Sequence, residues 1–261
     1  MDLGLAGRRA IVTGGSKGLG KAIAAELLAE GASVAICSRQ AGELQQAASE
    51  LAQQAAGGKV THQVCDVTDP EQIAAFVSDS AAALGGLDIL VNNAGGARPG
   101  RFGTLSDADW LADTEVKLMS QIRCTRSALP YLRESSAPRI ININAVYARY
   151  PEPAFLASSV NRASCLSLSK ALSIELGAEG IMVNSVNIGL VATPQWENIR
   201  RHRAPDVATA DFFGQLARDV PMGRFGRPDE VAGIVAFLAG DRASYITGAS
   251  IDVAGGLGQY L

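Results

Sequence analysis

The stretch Arg9–Gly20, which reads RAIVTGGSKGLG, decides the fold of this chain. Its first part, Arg9–Thr13, is a short apolar run that predicts a buried strand, and the apolar residues of Gly18–Glu30 recur at helical spacing. The glycines between them let the backbone turn sharply and approach a pyrophosphate closely. The N-terminus of the following helix offers free N–H groups and a partial positive charge. The stretch therefore predicts a strand–loop–helix unit that binds a nucleotide.

The same alternation of strand and helix continues along the chain. Capping signals mark the helices, for example Asp69 as the N-cap before Pro70. Short apolar strands joined by helical crossovers imply a parallel sheet with helices on both faces. We therefore expect one α/β domain over residues 1–261, a Rossmann-type, doubly wound sheet of seven parallel strands. The predicted strands are Arg9–Thr13, Ser33–Ser38, Val60–Cys65, Leu87–Val91, Arg139–Asn144, Ile181–Asn187 and Ala249–Val253.

One long segment, Leu190–Arg227, is predicted to lack regular structure. Irregular segments of this length in compact domains usually carry function. The segment contains Trp196, Phe212 and Phe213, as expected of a lid that closes over an apolar substrate. The alternative is a lid that only packs against a neighbouring subunit.

Composition and charge argue against several functional classes. Apolar residues make up 48% of the 261 residues and charged residues 19%, which is enough for a sizeable core and argues against disorder. The net charge of −3 and the lack of a basic block argue against nucleic acid as the main partner. No apolar run approaches the roughly 20 residues of a membrane span. The four cysteines lack metal-ligand spacing, so we expect no metal site and a cytoplasmic protein with reduced, mostly buried thiols.

The residues after the second predicted strand bear on which dinucleotide binds. A carboxylate there would hold a ribose 2′-hydroxyl and repel a 2′-phosphate, but the sequence reads Cys37-Ser38-Arg39. Arg39 can form forked hydrogen bonds to a phosphate, and Lys17 in the glycine loop adds a second positive charge. We therefore expect NADP(H) rather than NAD(H) as the cofactor; two solvated surface cations are the alternative. The predicted contacts in these two segments are Gly14, Ser16, Lys17, Gly18, Leu19, Gly20, Ser38 and Arg39.

Several segments match one family together. They are TGGSKGLG at residues 13–20, Cys65-Asp66-Val67, Asn92-Asn93-Ala94-Gly95, GRPDEVA at residues 226–232, Tyr245-Ile246-Thr247-Gly248 and Gly255-Gly256. The chain thereby resembles the short-chain dehydrogenase/reductase family from roughly Leu5 to Gly258. The resemblance implies further cofactor contacts. It assigns them to Asp66 and Val67 at the adenine, to Asn93, Ala94 and Gly95 in the cleft, to Ile143 and Arg162, and to Gly189 and Thr193 near the nicotinamide carboxamide. Before Gly189, Ile188 replaces the family's usual proline.

The same resemblance shows where this chain departs from the family. The family's chemistry uses a tyrosine and a lysine four apart on a helix, a serine at the end of the fifth strand, and often an asparagine on the long helix. Those places hold Ser158, Arg162, Ala145 and Lys117 here. The chain therefore resembles an atypical branch without the usual Ser-Tyr-Lys residues. A serine hydroxyl is a far weaker acid than a phenol, and an arginine stays protonated near neutral pH.

Tyr147 is the best substitute acid that the sequence offers. If the extended backbone continues past Ala145, Tyr147 points to the same side as the family's usual serine. We predict Tyr147 as the proton donor, with Ser158 and Arg162 positioning substrate and ribose. Lys117 would lower the pKa of Tyr147 or relay a proton. The alternative is that Tyr147 is an apolar wall of the pocket.

Two functions from different classes fit these residues. The first is an NADP(H)-dependent oxidoreductase that transfers a hydride to or from a small-molecule carbonyl or alcohol, with a non-standard proton donor. The second is a catalytically inactive NADP(H)-binding homologue that serves as a sensor or partner subunit. Losing a positioned acid costs a factor of about 10²–10⁴ in rate, and proximity can still drive hydride transfer. We therefore favour the enzyme, and isomerisation or dehydration in the same pocket stays open.

The resemblance also bears on assembly. It implies a homotetramer or a homodimer, with the long helices around Lys117 and Arg162 at the interface. The alanine-rich faces of these helices permit close packing, although the packed face of a monomer would look alike.

Overall fold

The computed structural model describes residues 1–258, apart from the side chains of His202 and Arg203. The sheet of this part of the chain runs in the order β3-β2-β1-β4-β5-β6-β7, and every neighbouring pair is parallel. The predicted doubly wound sheet of seven strands is thereby confirmed. The last three residues of the predicted domain 1–261, residues 259–261, lie outside the described residues. The strands are β1 (Arg9–Thr13), β2 (Ser33–Ser38), β3 (Val60–Val64), β4 (Ile89–Asn92), β5 (Arg139–Ala145), β6 (Met182–Ile188) and β7 (Ser250–Val253).

Helices cover both faces of this sheet. Side chains alternate between the faces along each strand, so Val12 and Ile36 enter one core and Ile11 and Leu90 the other. Helices α1, α2 and α9 pack on the first core, and α3, α5 and α6 pack on the second. The helices are α1 (Gly18–Ala29), α2 (Ala41–Ala52), α3 (Pro70–Leu84), α4 (Asp107–Thr114), α5 (Ser120–Leu132), α6 (Leu156–Glu175), α7 (Pro194–Arg203), α8 (Thr209–Ala217) and α9 (Pro228–Ala239).

The strand order creates a crevice at one edge of the sheet. Strands β2 and β3 follow β1 on one side, and β4 to β7 lie on the other side. In such sheets, ligands bind beyond the carboxyl ends of the strands where the order reverses. The loops after β1 and β4 meet there, because Thr13 Oγ1 accepts hydrogen bonds from the backbone N–H groups of Asn93 and Ala94, both at 3.0 Å.

Local sequence signals set most of the helix boundaries. The side chain of Asp69 accepts hydrogen bonds from the N–H groups of Glu71 and Gln72, and Gly85 ends α3 in a left-handed conformation. These boundaries agree with the prediction. Helix α2 ends at Ala52. The chain then passes close to the turn between α1 and β2, because a Cβ on Gly58 would lie 2.0 Å from the carbonyl oxygen of Ala32.

The prediction that Leu190–Arg227 lacks regular structure is wrong, because this segment contains the helices α7 and α8. Thr193 is the N-cap of α7 and Pro194 takes the first helical position, a start signal that was overlooked in the sequence. The aromatic side chains of this segment pack together with two from the body of the domain. We call this group the lid cluster: Tyr147, Phe155, Trp196, Phe212, Phe213 and Phe225.

Two further expectations can be compared with the described part of the chain. None of its helices combines the length and the apolar character needed to cross a bilayer. All four cysteines, Cys37, Cys65, Cys124 and Cys165, are free thiols in buried positions, as predicted.

Candidate active site

The glycine loop after β1 forms a tight cradle that side chains would fill. Gly14 and Gly18 have φ values of +68° and +55°, which favour glycine. A Cβ on Gly20 would lie 2.2 Å from the carbonyl oxygen of Gly14, and one on Gly15 would lie 2.6 Å from Cγ2 of Ile36. The loop therefore packs closely on itself and on β2, which fixes its backbone at the point where it enters α1.

The N-terminus of α1 supplies the donors of this cradle. Its N-cap is Lys17, which makes no side-chain capping bond, and no acidic residue occupies the first turn. The first N–H groups of α1 therefore remain available for an anion, and the helix dipole favours one. This arrangement fits the pyrophosphate of a dinucleotide, with Ser16, Leu19 and Gly20 beside it as predicted contacts.

The two cations expected at a 2′-phosphate lie at the surface near acidic side chains. Lys17 forms an ion pair with Glu43 at 2.8 Å, and Arg39, whose side chain is 70% exposed, lies 4.0 Å from Asp66. Exposed pairs of this kind contribute little to stability, so a phosphate dianion can compete for both cations. Ser38 Oγ is 3.5 Å from the carbonyl oxygen of Gln40, next to Arg39.

The remaining predicted cofactor residues line the same edge of the sheet. Asp66 forms a local turn in which its Oδ1 accepts from the N–H and the hydroxyl of Thr68, at 2.9 and 2.8 Å. Gly189 follows β6, where a Cβ would lie 2.8 Å from Ala254. Thr193 reaches over the glycine loop, 3.4 Å from a Cβ built on Gly18. Asn93, Ala94 and Gly95 follow β4 at this edge, whereas Val67 and Ile143 are buried in the two cores.

A buried polar cluster lies beside that crevice, between the α4–α5 helix pair and α6. Lys117 and Asp113 form an ion pair in which each side chain is 1% exposed. Asp113 Oδ1 also accepts a hydrogen bond from Ser158 Oγ at 3.4 Å, and Oδ2 accepts one from Asn161 Nδ2 at 2.9 Å. Three residues from one helix pair and α6 therefore converge on a single carboxylate.

A π turn carries Lys117 into this cluster. Helices α4 and α5 are joined at Glu115–Met119 by one π-helical turn, in which the backbone hydrogen bonds span five residues instead of four. Single π turns inside α-helices are often found at functional sites. Lys117 lies within this turn and is buried against α6.

Arg162 extends the cluster towards the nucleotide crevice. Its Nη1 donates to the carbonyl oxygen of Ile143 at 2.8 Å, and its Nη2 lies 2.9 Å from a Cβ built on Gly95. No carboxylate among residues 1–258 forms an ion pair with this guanidinium. Burial lowers the pKa of Arg162. The arginine therefore brings a desolvated positive charge to the cofactor loop.

The surroundings of Lys117 make it an unusual lysine. Burial and the nearby charge of Arg162 lower the pKa of Lys117 to about 8, against the opposing effects of Asp113 and Cys165. A lysine of this pKa can hold or release a proton near neutral pH, which a surface lysine cannot do.

Tyr147 is placed differently from the sequence expectation. Strand β5 ends at Ala145, and Val146–Ala148 form a 3₁₀ turn, so the premise of a continuing extended backbone is wrong. The half-buried ring of Tyr147 stacks on Phe155 with centroids 5.8 Å apart, and Phe155 contacts Trp196 of the lid. Tyr147 therefore belongs to the lid cluster. Its stacking partner Phe155 is the N-cap of α6, three residues before Ser158.

Sequence reasoning missed Asp113 and Asn161. Asp113 stands four residues before Lys117, a spacing that places both on one helical face and is itself a signal. Asn161 gave no signal beyond its place next to Arg162. The structure places Lys117 and Ser158 on the carboxylate of Asp113, which the sequence analysis did not single out, and Arg162 on the carbonyl oxygen of Ile143.

Comparisons with known proteins identify the family of this chain. Residues 14–258 match the family model described as Enoyl-(Acyl carrier protein) reductase. The granaticin polyketide synthase putative ketoacyl reductase 1 of Streptomyces violaceoruber is 36% identical over 255 residues, covering 96% of this chain and 93% of that protein.

Two solved structures extend the comparison. The NADPH-bound short chain oxidoreductase of Pseudomonas aeruginosa PAO1, described as containing an atypical catalytic center, is 39% identical with a TM-score of 0.91 and covers 97% of this chain and 98% of its own. L-sorbose reductase of Gluconobacter frateurii, complexed with NADPH and L-sorbose, is 33% identical with a TM-score of 0.94 over the full length of both chains. The match spans the glycine loop, the crevice and the buried cluster alike, and the chain belongs to the short-chain dehydrogenase/reductase family.

Proposed function

We propose that the protein is an NADP(H)-dependent oxidoreductase that reduces a carbonyl group of a small molecule to an alcohol, and catalyses the reverse reaction. The observation that carries this proposal is the convergence of Ser158, Lys117 and Arg162 beside the cofactor crevice. This arrangement retains a hydroxyl, a proton reservoir and a fixed positive charge where the family's catalytic residues usually lie.

The cofactor preference rests on the charges around the end of β2. No acidic residue ends that strand, whereas Arg39 and Lys17 can both reach a 2′-phosphate. Two related proteins have been solved with NADPH, one from Pseudomonas aeruginosa and one from Gluconobacter frateurii. The uncapped N-terminus of α1 would hold the pyrophosphate, and Arg162 would hold the ribose hydroxyls on the other side of the crevice.

The chemistry requires one hydride and one proton for each carbonyl reduced. When bound, the reduced cofactor supplies the hydride to the carbonyl carbon. The Ser158 hydroxyl donates a proton to the carbonyl oxygen as negative charge develops there, and Lys117 replaces that proton from its ammonium group. Lys117 is reprotonated from water before the next turnover. The positive charge of Arg162 stabilises the developing oxyanion electrostatically.

Tyr147 is the second candidate for the proton donor. Its place in the lid cluster, close to the start of α6, favours a position in the wall of the substrate pocket. We assign the donor role to the Ser158–Lys117 pair because both groups contact one carboxylate oxygen inside a buried cluster. Replacing the tyrosine hydroxyl distinguishes the two donors.

The alternative is an inactive NADP(H)-binding homologue that acts as a sensor or partner subunit. Such a protein would bind the cofactor equally well. What favours the enzyme is the lowered pKa of Lys117, about 8, in a cluster that faces the crevice.

The test is NADPH oxidation with a panel of carbonyl compounds: a 3-oxoacyl thioester, a ketose and an aryl ketone. We expect turnover with at least one class, with kcat lowered about 10²–10⁴-fold in Lys117→Met and unchanged in the exposed control Lys59→Met. Tight NADPH binding by a wild-type protein that reduces no member of an expanded panel would support the inactive homologue and overturn the proposal.

A further inference from the structure

The carboxylate of Asp113 is the centre of the buried cluster. It is 1% exposed, and it lies on the last turn of α4. Its Oδ1 contacts both the Lys117 ammonium and the Ser158 hydroxyl, the latter at 3.4 Å. A carboxylate removed from water in this way is costly unless its charge and lone pairs are matched. Lys117 matches its charge.

The orientation of this carboxylate is fixed from α6. Asn161 donates from Nδ2 to Asp113 Oδ2 at 2.9 Å. The Asn161 amide is held in turn by Thr114, whose hydroxyl donates to Asn161 Oδ1 at 3.1 Å. Oδ2 is thereby occupied by Asn161, and Oδ1 is left to face Lys117 and Ser158. The carboxylate cannot rotate without losing one of these bonds.

We propose that Asp113 is a positioning residue for carbonyl reduction: it holds the Lys117 ammonium against Ser158 and keeps it protonated. This inference rests on the proposed function and adds a residue to its machinery. Asp113 acts through Lys117, and no contact between Asp113 and the substrate is required.

The charges around Lys117 show why a partner is needed. Asp113 faces it from α4, and Arg162 and Cys165 face it from α6. Arg162 repels the ammonium, and burial disfavours it. Within residues 1–258, Asp113 is the one carboxylate at ion-pair distance from Lys117. Without this carboxylate, Lys117 would lose its proton at a lower pH, and the supply of protons to Ser158 would stop near neutrality.

The decisive measurement is the titration of Lys117 in the cofactor-free protein, followed by NMR of ¹³C-labelled lysine Cε atoms. The Lys117 signal is assigned by its absence from Lys117→Met. We expect it to titrate about one to three pH units lower in Asp113→Asn than in the wild type. The control Asp107→Asn makes the same chemical change at an exposed position of α4 and leaves the midpoint in place. An unchanged midpoint in a folded Asp113→Asn protein overturns the proposal.

The pH dependence of kcat/KM in Asp113 variants separates this inference from the proposed function. In the active enzyme, the alkaline limb of kcat/KM moves to lower pH in Asp113→Asn and returns towards the wild type in Asp113→Glu, which retains the charge. A wild type that reduces no carbonyl removes the proposed function, but the NMR titration still decides whether Asp113 controls Lys117.

A variant that does not fold is also informative. Asp113→Asn leaves an unpaired ammonium buried, so adding Lys117→Met is expected to restore a folded protein. If Asp113→Asn is unfolded and the double variant is unfolded as well, Asp113 acts in packing and not through Lys117, and the proposal fails.

Discussion

Asp113 and Lys117 stand one helical turn apart, and their side chains meet in a site that is almost closed to solvent. The π turn at Glu115–Met119 begins between them, so the pair bridges a regular and an irregular part of the same helix. This relationship explains why a lysine is tolerated in a core position. It also ties the proton chemistry of the site to the geometry of one helix.

The rate of carbonyl reduction is expected to fall as the pH rises through about 8. Burial and Arg162 lower the pKa of Lys117 to about 8, and only its ammonium form can supply a proton. Above that value, kcat/KM for reduction decreases about tenfold per pH unit, because one proton is lost. Steady-state NADPH oxidation across the alkaline range checks this. A rate that stays level well above this pH excludes Lys117 as the group that resupplies the proton to Ser158.

Tyr147→Phe is expected to change the rate of reduction by less than about threefold. The stacked ring on Phe155 is retained, and the variant lacks only the hydroxyl. A loss of about 10²–10⁴ would instead identify the phenol as the acid. Tyr150→Phe, a half-buried tyrosine nearby, serves as the matched control.

Arg39→Asp is expected to weaken NADPH binding at least about tenfold and to leave NADH binding equal or stronger. The substitution removes a guanidinium at the end of β2 and adds a carboxylate that repels a phosphate. Calorimetric titration with both cofactors measures the two affinities. The exposed Arg242→Asp gives the same charge change elsewhere. Equal affinity of the wild type for NADPH and NADH would contradict the assigned preference.

Asp88→Asn is expected to destabilise the fold by on the order of 2–3 kcal/mol. Breaking a fully buried pair costs about 3–5 kcal/mol, but the Arg9 side chain opposite Asp88 is 28% exposed. Asp88 joins the starts of β1 and β5, since it accepts from Arg9 N and Nε at 2.9 and 2.8 Å and from Ser135. Urea unfolding measures the loss, with the exposed Asp79→Asn as the control.

The same carboxyl group makes the stability of the fold depend on pH in the acid range. Burial raises the pKa of Asp88, but the hydrogen bonds from Arg9 and Ser135 outweigh this effect and hold the pKa below its usual value. The unfolded chain therefore binds the proton more readily than the folded one. The stabilisation is present above the unfolded pKa of about 3.9 and is lost as the pH falls through the lower folded value. In Asp88→Asn this part of the pH dependence of stability disappears. An unaltered dependence of stability on acid pH would show that Asp88 is not the group responsible.

Gly20→Ala is expected to lower both cofactor affinity and stability, because its new methyl group would lie 2.2 Å from the carbonyl oxygen of Gly14. Overpacking of this kind costs about 1–3 kcal/mol. Gly42→Ala is the matched control: nothing lies within 4 Å of a Cβ there, and alanine should stabilise α2 slightly. Thermal unfolding and NADPH titration are measured on both variants. Normal cofactor binding by Gly20→Ala would refute the close fit of the loop.

The strands and the nucleotide loop could be predicted because their signals are local. Runs such as Ser33–Ser38 are apolar and bounded by polar or glycine residues, and the structure gives β2 the same limits. The helices of the lid were missed although Thr193-Pro194 is a good start signal. A low proportion of apolar residues in Pro194–Arg203 concealed the periodicity.

The buried cluster could be predicted only in part. Lys117, Ser158 and Arg162 were found through their places in a family pattern, but the role of Asp113 depends on the π turn, which no local propensity reveals. The expected extended backbone at Tyr147 is wrong for a related reason, because β5 ends at Ala145 and a 3₁₀ turn follows. Where a strand ends is decided by its neighbours, and the pairing of β5 with β6 ends at Ala145 and Ile188.

The strand order also separates two tasks. The segments that would hold the nucleotide phosphates and adenine lie around β1, β2 and β3, whereas Asp113, Ser158 and Arg162 are carried by helices on the far side of β4. Substitutions in one half need not disturb the packing of the other. Such a scaffold can exchange its acid–base apparatus over evolutionary time while its affinity for the coenzyme is inherited unchanged.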